Sequence, residues 1–206
     1  MSFMLTRTDD PTTLRSALPD FSDTTHIFLP INDCRNVEVA EGGSHWSLLL
    51  VSILDQVAFH YDSLSPSNLS DAQTAVHKIG QLLGKPLKFT NLTDSPQQEN
   101  GSDCGVYVCM VMRYLLMRKL LMADSTKKIS MSMSGRPVDA SAGRKEMLRL
   151  IETFRKEGAK QKSSVALSPP PPSSPPPPAS PAFIHAPAPP RHQLTVRWLR
   201  HKFQSL

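Results

Sequence analysis

An α+β domain is the fold class the sequence predicts, on three observations. Two short apolar runs, "HWSLLLVSIL" (45–54) and "VAFHYDSL" (57–64), stand two residues apart, as a β-hairpin requires. A helical pattern, 65–84, follows them directly. A long apolar segment, "CGVYVCMVMRYLLMRKLLMAD" (104–124), then begins straight after the turn-rich loop "SPQQENGSD".

The elements follow in order. "THIFLPIND" (25–33) carries alternating and β-branched apolar residues and ends in Asn-Asp, so it is predicted to be a strand running into a loop. "CRNVEVAEGG" (34–43) is a polar loop with glycines. Aromatics in 57–64 suit a sheet, and Asp55-Gln56 marks the turn before them. In 65–84, Ala72, Ala75, Val76, Ile79, Leu82 and Leu83 recur at helical spacing, Asn68 or Ser70 is placed to cap, and Gly84 ends the pattern. "PLKFTNLT" is a short strand candidate. The 104–124 segment is apolar on almost every face until Arg113, as a helix buried at the centre of a domain is. "STKKISMSMSGRPVDASAG" is polar and expected to be loose. "RKEMLRLIETFRKEGAKQK" (144–162) gathers Met147, Leu150, Ile151 and Phe154 on one face of an amphipathic helix. The proline-rich stretch that follows cannot bury a core and favours extended conformations. The chain closes on a short basic segment with Val196, Trp198, Leu199 and Phe203.

Three regions are therefore expected: a globular domain over 1–124, a polar linker with an amphipathic helix over 125–162, and a disordered proline-rich basic tail over 163–206. Charge follows the same division. Residues 1–126 carry 9 Lys/Arg against 14 Asp/Glu, and residues 127–206 carry 14 against 4, so the overall +5 comes from the C-terminal part. A basic balance confined there argues no nucleic-acid function for the folded part, whereas an acidic front half suits a basic protein partner. Cys34, Cys104 and Cys109 form neither a disulfide framework nor a zinc-spaced cluster, so no metal or other cofactor is expected. No apolar run reaches the ~18 residues of a membrane span, so no membrane partner is expected. The N-terminus lacks a signal-like segment, and a reduced cytoplasmic or nuclear setting is the expectation.

Cys104 is the most informative residue. It stands where a helix begins, between Asp103 and Gly105, and the helix dipole with its unpaired N–H groups stabilises a thiolate there. A thiolate nucleophile needs a histidine to exchange its proton and a carboxylate or amide to orient that histidine. His45 and Asp62 lie on the two runs of the predicted hairpin. Gln98, six residues ahead of Cys104, is a candidate amide donor for an oxyanion, with Gln97 its competitor. Asn100 and Gly101 are placed to shape the intervening turn. Each residue also has an ordinary reading: Cys104 as a small core residue, His45 as a structural histidine, Asp62 as a turn former before Ser63. His60 and Tyr61 are read as strand residues, Cys34 and Cys109 as core, and Met110, Met112 and Met117 as core filling.

Together, "GSHWSLLL", "FHYDS" and "QQENGSDCGVYVC" resemble the His, Asp and Gln…Cys boxes of the Ulp/SENP cysteine proteases, in the same order. "FLPIND", "GGSHWSLLL" and "FHYDSLSPSN" are most similar to the deneddylase branch, and the resemblance covers roughly residues 25–120. It implies a papain-like fold whose central sheet packs on a long helix starting at the catalytic cysteine. It implies Cys104 as nucleophile, His45 as base and acid, Asp62 as orienter and Gln98 as oxyanion donor. Trp46 would line the passage for a modifier's Gly-Gly tail, with Asn100, Gly101 and Asp103 beside it. The implied activity is hydrolysis after the Gly-Gly terminus of a ubiquitin-like modifier, that of neddylation first, on its precursor or on conjugates such as cullins. A SUMO-directed protease and a modifier-binding module without turnover are the alternatives. Family members carry a Trp-Leu-Asn-Asp stretch ahead of the His box. None precedes His45 here, so an N-terminally truncated form of the domain is expected. The proline run reads as an SH3 or WW ligand or as a linker.

Overall fold

The computed structural model describes residues 2–36, 42–123 and 129–166. The expectations for 167–206, including the SH3 or WW ligand and the basic terminal segment, lie outside the described residues. The chain forms two compact units, Met1–Thr153 and Phe154–Leu206. The first holds nearly all the described structure and is an α+β unit, as expected.

Its sheet has four strands: β1 (His26–Asn32), β2 (Trp46–Ser52), β3 (Val57–Tyr61) and β4 (Lys88–Asn91), ordered β1-β2-β3-β4. The first three form an antiparallel meander with Phe28 opposite Leu50 and Leu50 opposite Phe59. β4 runs parallel to β3, which its distance in sequence allows because α2 (Leu69–Leu83) supplies the crossover. The turn between β2 and β3 is longer than the two residues expected. Ser52 pairs with Val57, leaving four residues in the bend, and Gln56 takes a positive φ of 54°.

The run of four apolar residues in β2 has a simple cause, because the sheet is covered on both faces. Leu49 and Val51 point to one side, where Leu29, Ile31 and Ala58 meet Ala72, Ala75, Val76, Ile79 and Leu82 of α2. Leu48 and Leu50 point to the other, against Val108, Val111 and Leu115. A strand buried on both sides reads as a continuous apolar run rather than an alternating one. α2 ends as expected at Gly84, whose left-handed φ of 64° glycine adopts without penalty.

The second face is covered by α3 (Cys104–Tyr114), which continues as a π-helical segment through Leu120. The segment read as buried all round is in fact buried along one side, and Cys109 and Met110 are half-exposed. Two elements had no sequence expectation. Helix α1 (Ser2–Arg7) lays Leu5 into the α2 side of the core, and a 3₁₀ segment covers Pro11–Ala17. The stretch read as loose is irregular but anchored. Met133 is buried in the α3-side core, and the Asp94 carboxylate accepts from the backbone N–H groups of Met133 and Ser134 and from the Ser132 hydroxyl.

The last helix, α4, spans Ala140–Ala166, longer at both ends than the periodicity indicated. Gly143 brings it close onto α3, since a Cβ there would stand 2.9 Å from Met110 Sδ. Ile151 and Phe154, grouped by spacing into an apolar face, are both exposed. Among the described residues no helix is long and apolar enough to cross a membrane.

Candidate active site

His45 immediately precedes β2 and Asp62 immediately follows β3. The register pairs Leu48 with Tyr61, so by continuation Asp62 stands opposite Ser47, diagonal to His45. Diagonal neighbours across an antiparallel pair lie within reach of long side chains. The His45 Nε2–H donates to Asp62 Oδ1 at 2.6 Å, and both residues are buried. Nδ1 of the ring is left for proton exchange.

Asp62 accepts more than this one bond. Its Oδ1 also takes the Leu64 N–H at 3.0 Å, and its Oδ2 takes the Asn68 N–H at 3.1 Å. Burial pushes the carboxyl upward, but the His45 hydrogen bond and the two backbone donors outweigh it and hold Asp62 below the usual carboxylate range. Asp62 therefore stays ionised, and its charge fixes the proton of the imidazole on Nε2.

The backbone of His45 is held as firmly as its ring. Asp33 Oδ1 accepts from the His45 N–H at 3.0 Å. The His45 carbonyl accepts from Asn32 Nδ2 at 3.2 Å, Asn68 Nδ2 at 3.3 Å and the Asp33 N–H at 3.4 Å. Asp33 also takes the N–H and hydroxyl of Ser44, at 2.7 and 2.6 Å. Burial opposes ionisation of Asp33, yet these donors keep its carboxyl low. Gly43 makes the close approach possible. It has φ +91°, and a Cβ there would lie 2.3 Å from Asn32 Oδ1.

Sequence reasoning used Asn32-Asp33 as a strand end and as part of a resemblance. Their work on His45 was missed, and so was that of Ser63 and Asn68. The residue types were the only available signal, because short amides and carboxylates at strand ends serve turns and caps equally well.

The two glutamines separate by their hydrogen bonds. Gln97 Nε2 donates to the Asp62 carbonyl at 2.9 Å and to the Ser95 carbonyl at 3.0 Å, which uses both of its hydrogens. Gln98 Oε1 accepts from the Ser63 hydroxyl at 2.7 Å, and its Nε2 donates to the Asn100 carbonyl at 2.6 Å. One Gln98 N–H remains available. The Gln98 backbone N–H donates to the Ser63 carbonyl at 2.8 Å, tying this loop to the residue after Asp62.

Cys104 is the first residue of α3 and is 7% exposed. The opening N–H groups of a helix have no intrahelical acceptor, so they and the dipole favour negative charge at this place. Asp103 occupies the N-cap position without capping through its side chain. Its carboxylate takes Asn100 Nδ2 at 2.7 Å and pairs with Arg144 of α4, and these lower its pKa, the Asn100 bond most strongly. Asn100 Oδ1 accepts from the N–H groups of Ser102 and Asp103, closing the turn before the cysteine. Gly101 is exposed, has no positive φ, and an added Cβ would meet nothing within 4 Å, so the turn does not itself demand glycine.

Trp46 is 42% exposed, a large exposure for a tryptophan. It lines a small cleft with Tyr61, Asp62, Ser95, Pro96 and Tyr107. Tyr107 lies three residues along α3 from Cys104, so the cleft joins the first turn of that helix to the Asp62 end of the hairpin. The Tyr107 hydroxyl donates to the Gln97 carbonyl at 3.1 Å. The arrangement thus contains an ionised carboxylate on a buried imidazole, a cysteine at a helix start and an amide N–H to spare.

Comparison with known proteins agrees with this architecture. NEDD8-specific protease 2 of Schizosaccharomyces pombe is 38% identical over 155 residues, 75% of this chain and 37% of that protein. NEDD8-specific protease 1 of the same yeast is 35% identical over 144 residues, 69% of this chain and 34% of that protein. Sentrin-specific protease 8 of Homo sapiens is 42% identical over 85 residues, 40% of this chain and 39% of that protein. The matches therefore span between a third and two fifths of these relatives' length. Residues 6–134 match the Ulp1 protease family, C-terminal catalytic domain, and the chain belongs to that family.

Proposed function

We propose that the chain is a cysteine peptidase that hydrolyses the bond after the C-terminal Gly-Gly of a ubiquitin-like modifier, with NEDD8 the preferred modifier. The observation that carries the reading is the buried 2.6 Å bond from His45 Nε2 to Asp62 Oδ1. It leaves Nδ1 as the proton-exchanging atom in a domain that starts a helix with Cys104. The preference for NEDD8 draws on relatives named as NEDD8-specific proteases.

In this reading the Cys104 thiol gives its proton to His45 Nδ1, and the thiolate attacks the carbonyl carbon of the terminal glycine. The oxyanion is held by the spare Gln98 N–H and the Cys104 backbone N–H. The resulting imidazolium, stabilised by Asp62, protonates the departing amine as the C–N bond breaks. Water then gives a proton to His45 and attacks the thioester, releasing the glycine carboxylate and restoring the thiol. Trp46 faces the modifier's tail, where its half-exposed ring leaves room for glycines and little for larger residues. Asn100 and Asp103 hold the loop beside that tail, and exposed Gly101 offers its backbone. Conjugates such as neddylated cullins and the modifier precursor are the proposed substrates, in the cytoplasm or nucleus.

Covalent labelling tests the reading. The purified chain would be treated with C-terminally reactive probes of NEDD8, SUMO and ubiquitin, with Cys104→Ala as control. Labelling by the NEDD8 probe, lost in Cys104→Ala, is expected. Selective labelling by SUMO would reassign the substrate, and no labelling of folded protein by any probe would overturn the enzymatic reading.

A further inference from the structure

We propose that Asn68 is a positioning residue that holds His45 and Asp62 in their mutual geometry, an inference that rests on the peptidase reading above. Asn68 precedes α2 at the N-cap position. An asparagine there ordinarily turns its side-chain oxygen onto the free N–H groups of its own helix. Here it makes no such bond. Its side chain points back to the sheet, where Nδ2 donates to the Ile31 carbonyl at 3.2 Å and to the His45 carbonyl at 3.3 Å. Its backbone N–H donates to Asp62 Oδ2 at 3.1 Å, on the carboxylate whose other oxygen holds the His45 ring. One residue therefore touches both members of the pair, His45 through its carbonyl and Asp62 through its second oxygen.

This arrangement is costly to the fold. Asn68 is 0% exposed, and its Oδ1 is buried without a hydrogen-bond partner. A serine at this position would leave no buried amide oxygen without a donor, while giving up the amide's bonds to Ile31 and His45. The side chain is thus spent on the site rather than on its helix, as expected where activity opposes stability. The amide nitrogen presents two N–H donors from one uncharged group to the two carbonyl oxygens; a carboxylate there would repel both. His45 lies one residue beyond the paired part of β2, where a single long backbone bond, from the Asp33 N–H at 3.4 Å, reaches its carbonyl, so side-chain amides supply the rest of the support.

The test compares wild type, Asn68→Ser and Asn68→Ala for melting temperature, kcat and KM on a modifier substrate. It adds the pH dependence of Cys104 alkylation by iodoacetamide, which reads the thiol–imidazole pair without any modifier. Other titratable groups are Asp62, Asp33 and His60 on the imidazole side, and Asp103, with its Arg144 partner, and Tyr107 on the helix of the thiol. Asn68→Ser is expected to melt close to the wild-type temperature, because removing the unpaired buried oxygen offsets the loss of the two amide bonds. Its kcat should fall on the order of 10–100-fold with KM unchanged, since small misplacements of catalytic groups have effects of that size. Alkylation near neutral pH should slow, with its profile moved to higher pH. In a His45→Ala background the same substitution should have no further effect, because residues acting as a unit are not additive. A lower melting temperature with kcat and the alkylation profile unchanged would overturn the proposal and leave Asn68 as a tether for α2. If either variant fails to fold, the other carries the comparison. If the wild type turns over no modifier while its alkylation profile still responds to Asn68, the peptidase reading fails and this inference stands.

Discussion

Gly43→Ala offers a measurement of how tightly the His45 backbone is clamped, because a second glycine provides an internal control. Gly43 and Gly84 both hold positive φ, +91° and +64°. For any residue with a Cβ, that backbone alone costs about 1–2 kcal/mol. The surroundings differ. A Cβ on Gly84 meets nothing within 4 Å, whereas one on Gly43 lies 2.3 Å from Asn32 Oδ1 and 2.8 Å from Asn32 Cγ and Nδ2. Asn32 is buried and cannot swing away freely. Its Oδ1 accepts from the Cys34 N–H at 2.8 Å and its Nδ2 donates to the His45 carbonyl at 3.2 Å.

Displacing that amide leaves buried polar groups unmatched, at about 1–3 kcal/mol. Gly84→Ala should therefore lose about 1–2 kcal/mol, and Gly43→Ala about 2–5 kcal/mol once both contributions are added. Against a domain stability of about 5–15 kcal/mol this difference is large. Urea unfolding of each variant, followed by circular dichroism with the slope held common, gives the two values. The Gly43→Ala protein should also lose turnover beyond what its unfolded fraction explains, because the His45 carbonyl loses the Asn32 donor. Equal destabilisation of the two variants would refute the claim that Asn32 locks His45 in place.

Further outcomes follow from other contacts. Gln98→Ala should lower kcat by about 10²–10³-fold while Gln97→Ala perturbs mainly stability, since only Gln98 keeps a free N–H; steady-state kinetics of both variants decides this. Met133→Ala, in a residue 2% exposed on the α3 side of the core, should cost about 2–5 kcal/mol by thermal or chemical unfolding. A negligible loss would mean that residues 129–139 do not belong to the core.

Acid sensitivity should come in two stages. Burial lowers the pKa of His60 and of His26 from 6.5, so their contribution is whole above pH 6.5 and declines as pH falls, while the unfolded chain takes up protons first. Asp33 and Asp62 are held below 3.8, so their share is whole above that value and is lost only at lower pH. His60→Gln should make the first stage shallower, leaving the share of His26, measured as unfolding free energy against pH, and should leave the second unchanged.

The sequence by itself determined the order of elements from β1 to α3, the apolar run of β2, the helix start at Cys104 and the nearness of His45 to Asp62. All four depend on local regularities. Periods of 2 and 3.6 residues, turn residues and a short hairpin act over a few positions, and they are visible in any single chain. The tertiary structure alone decided the support. Asn68 reaches Ile31 across 37 residues and His45 across 23. Gln97 rather than Gln98 spends both amide hydrogens on neighbouring carbonyls, although the two are adjacent in sequence. Met133 enters the core from a stretch whose composition suggested none, because one methionine with three rotatable bonds fills a gap without any periodic pattern. Polar side chains at loops and strand ends have several possible partners each. Which partner they take depends on what the packed layers bring within 3 Å, and no local pattern in the sequence encodes that.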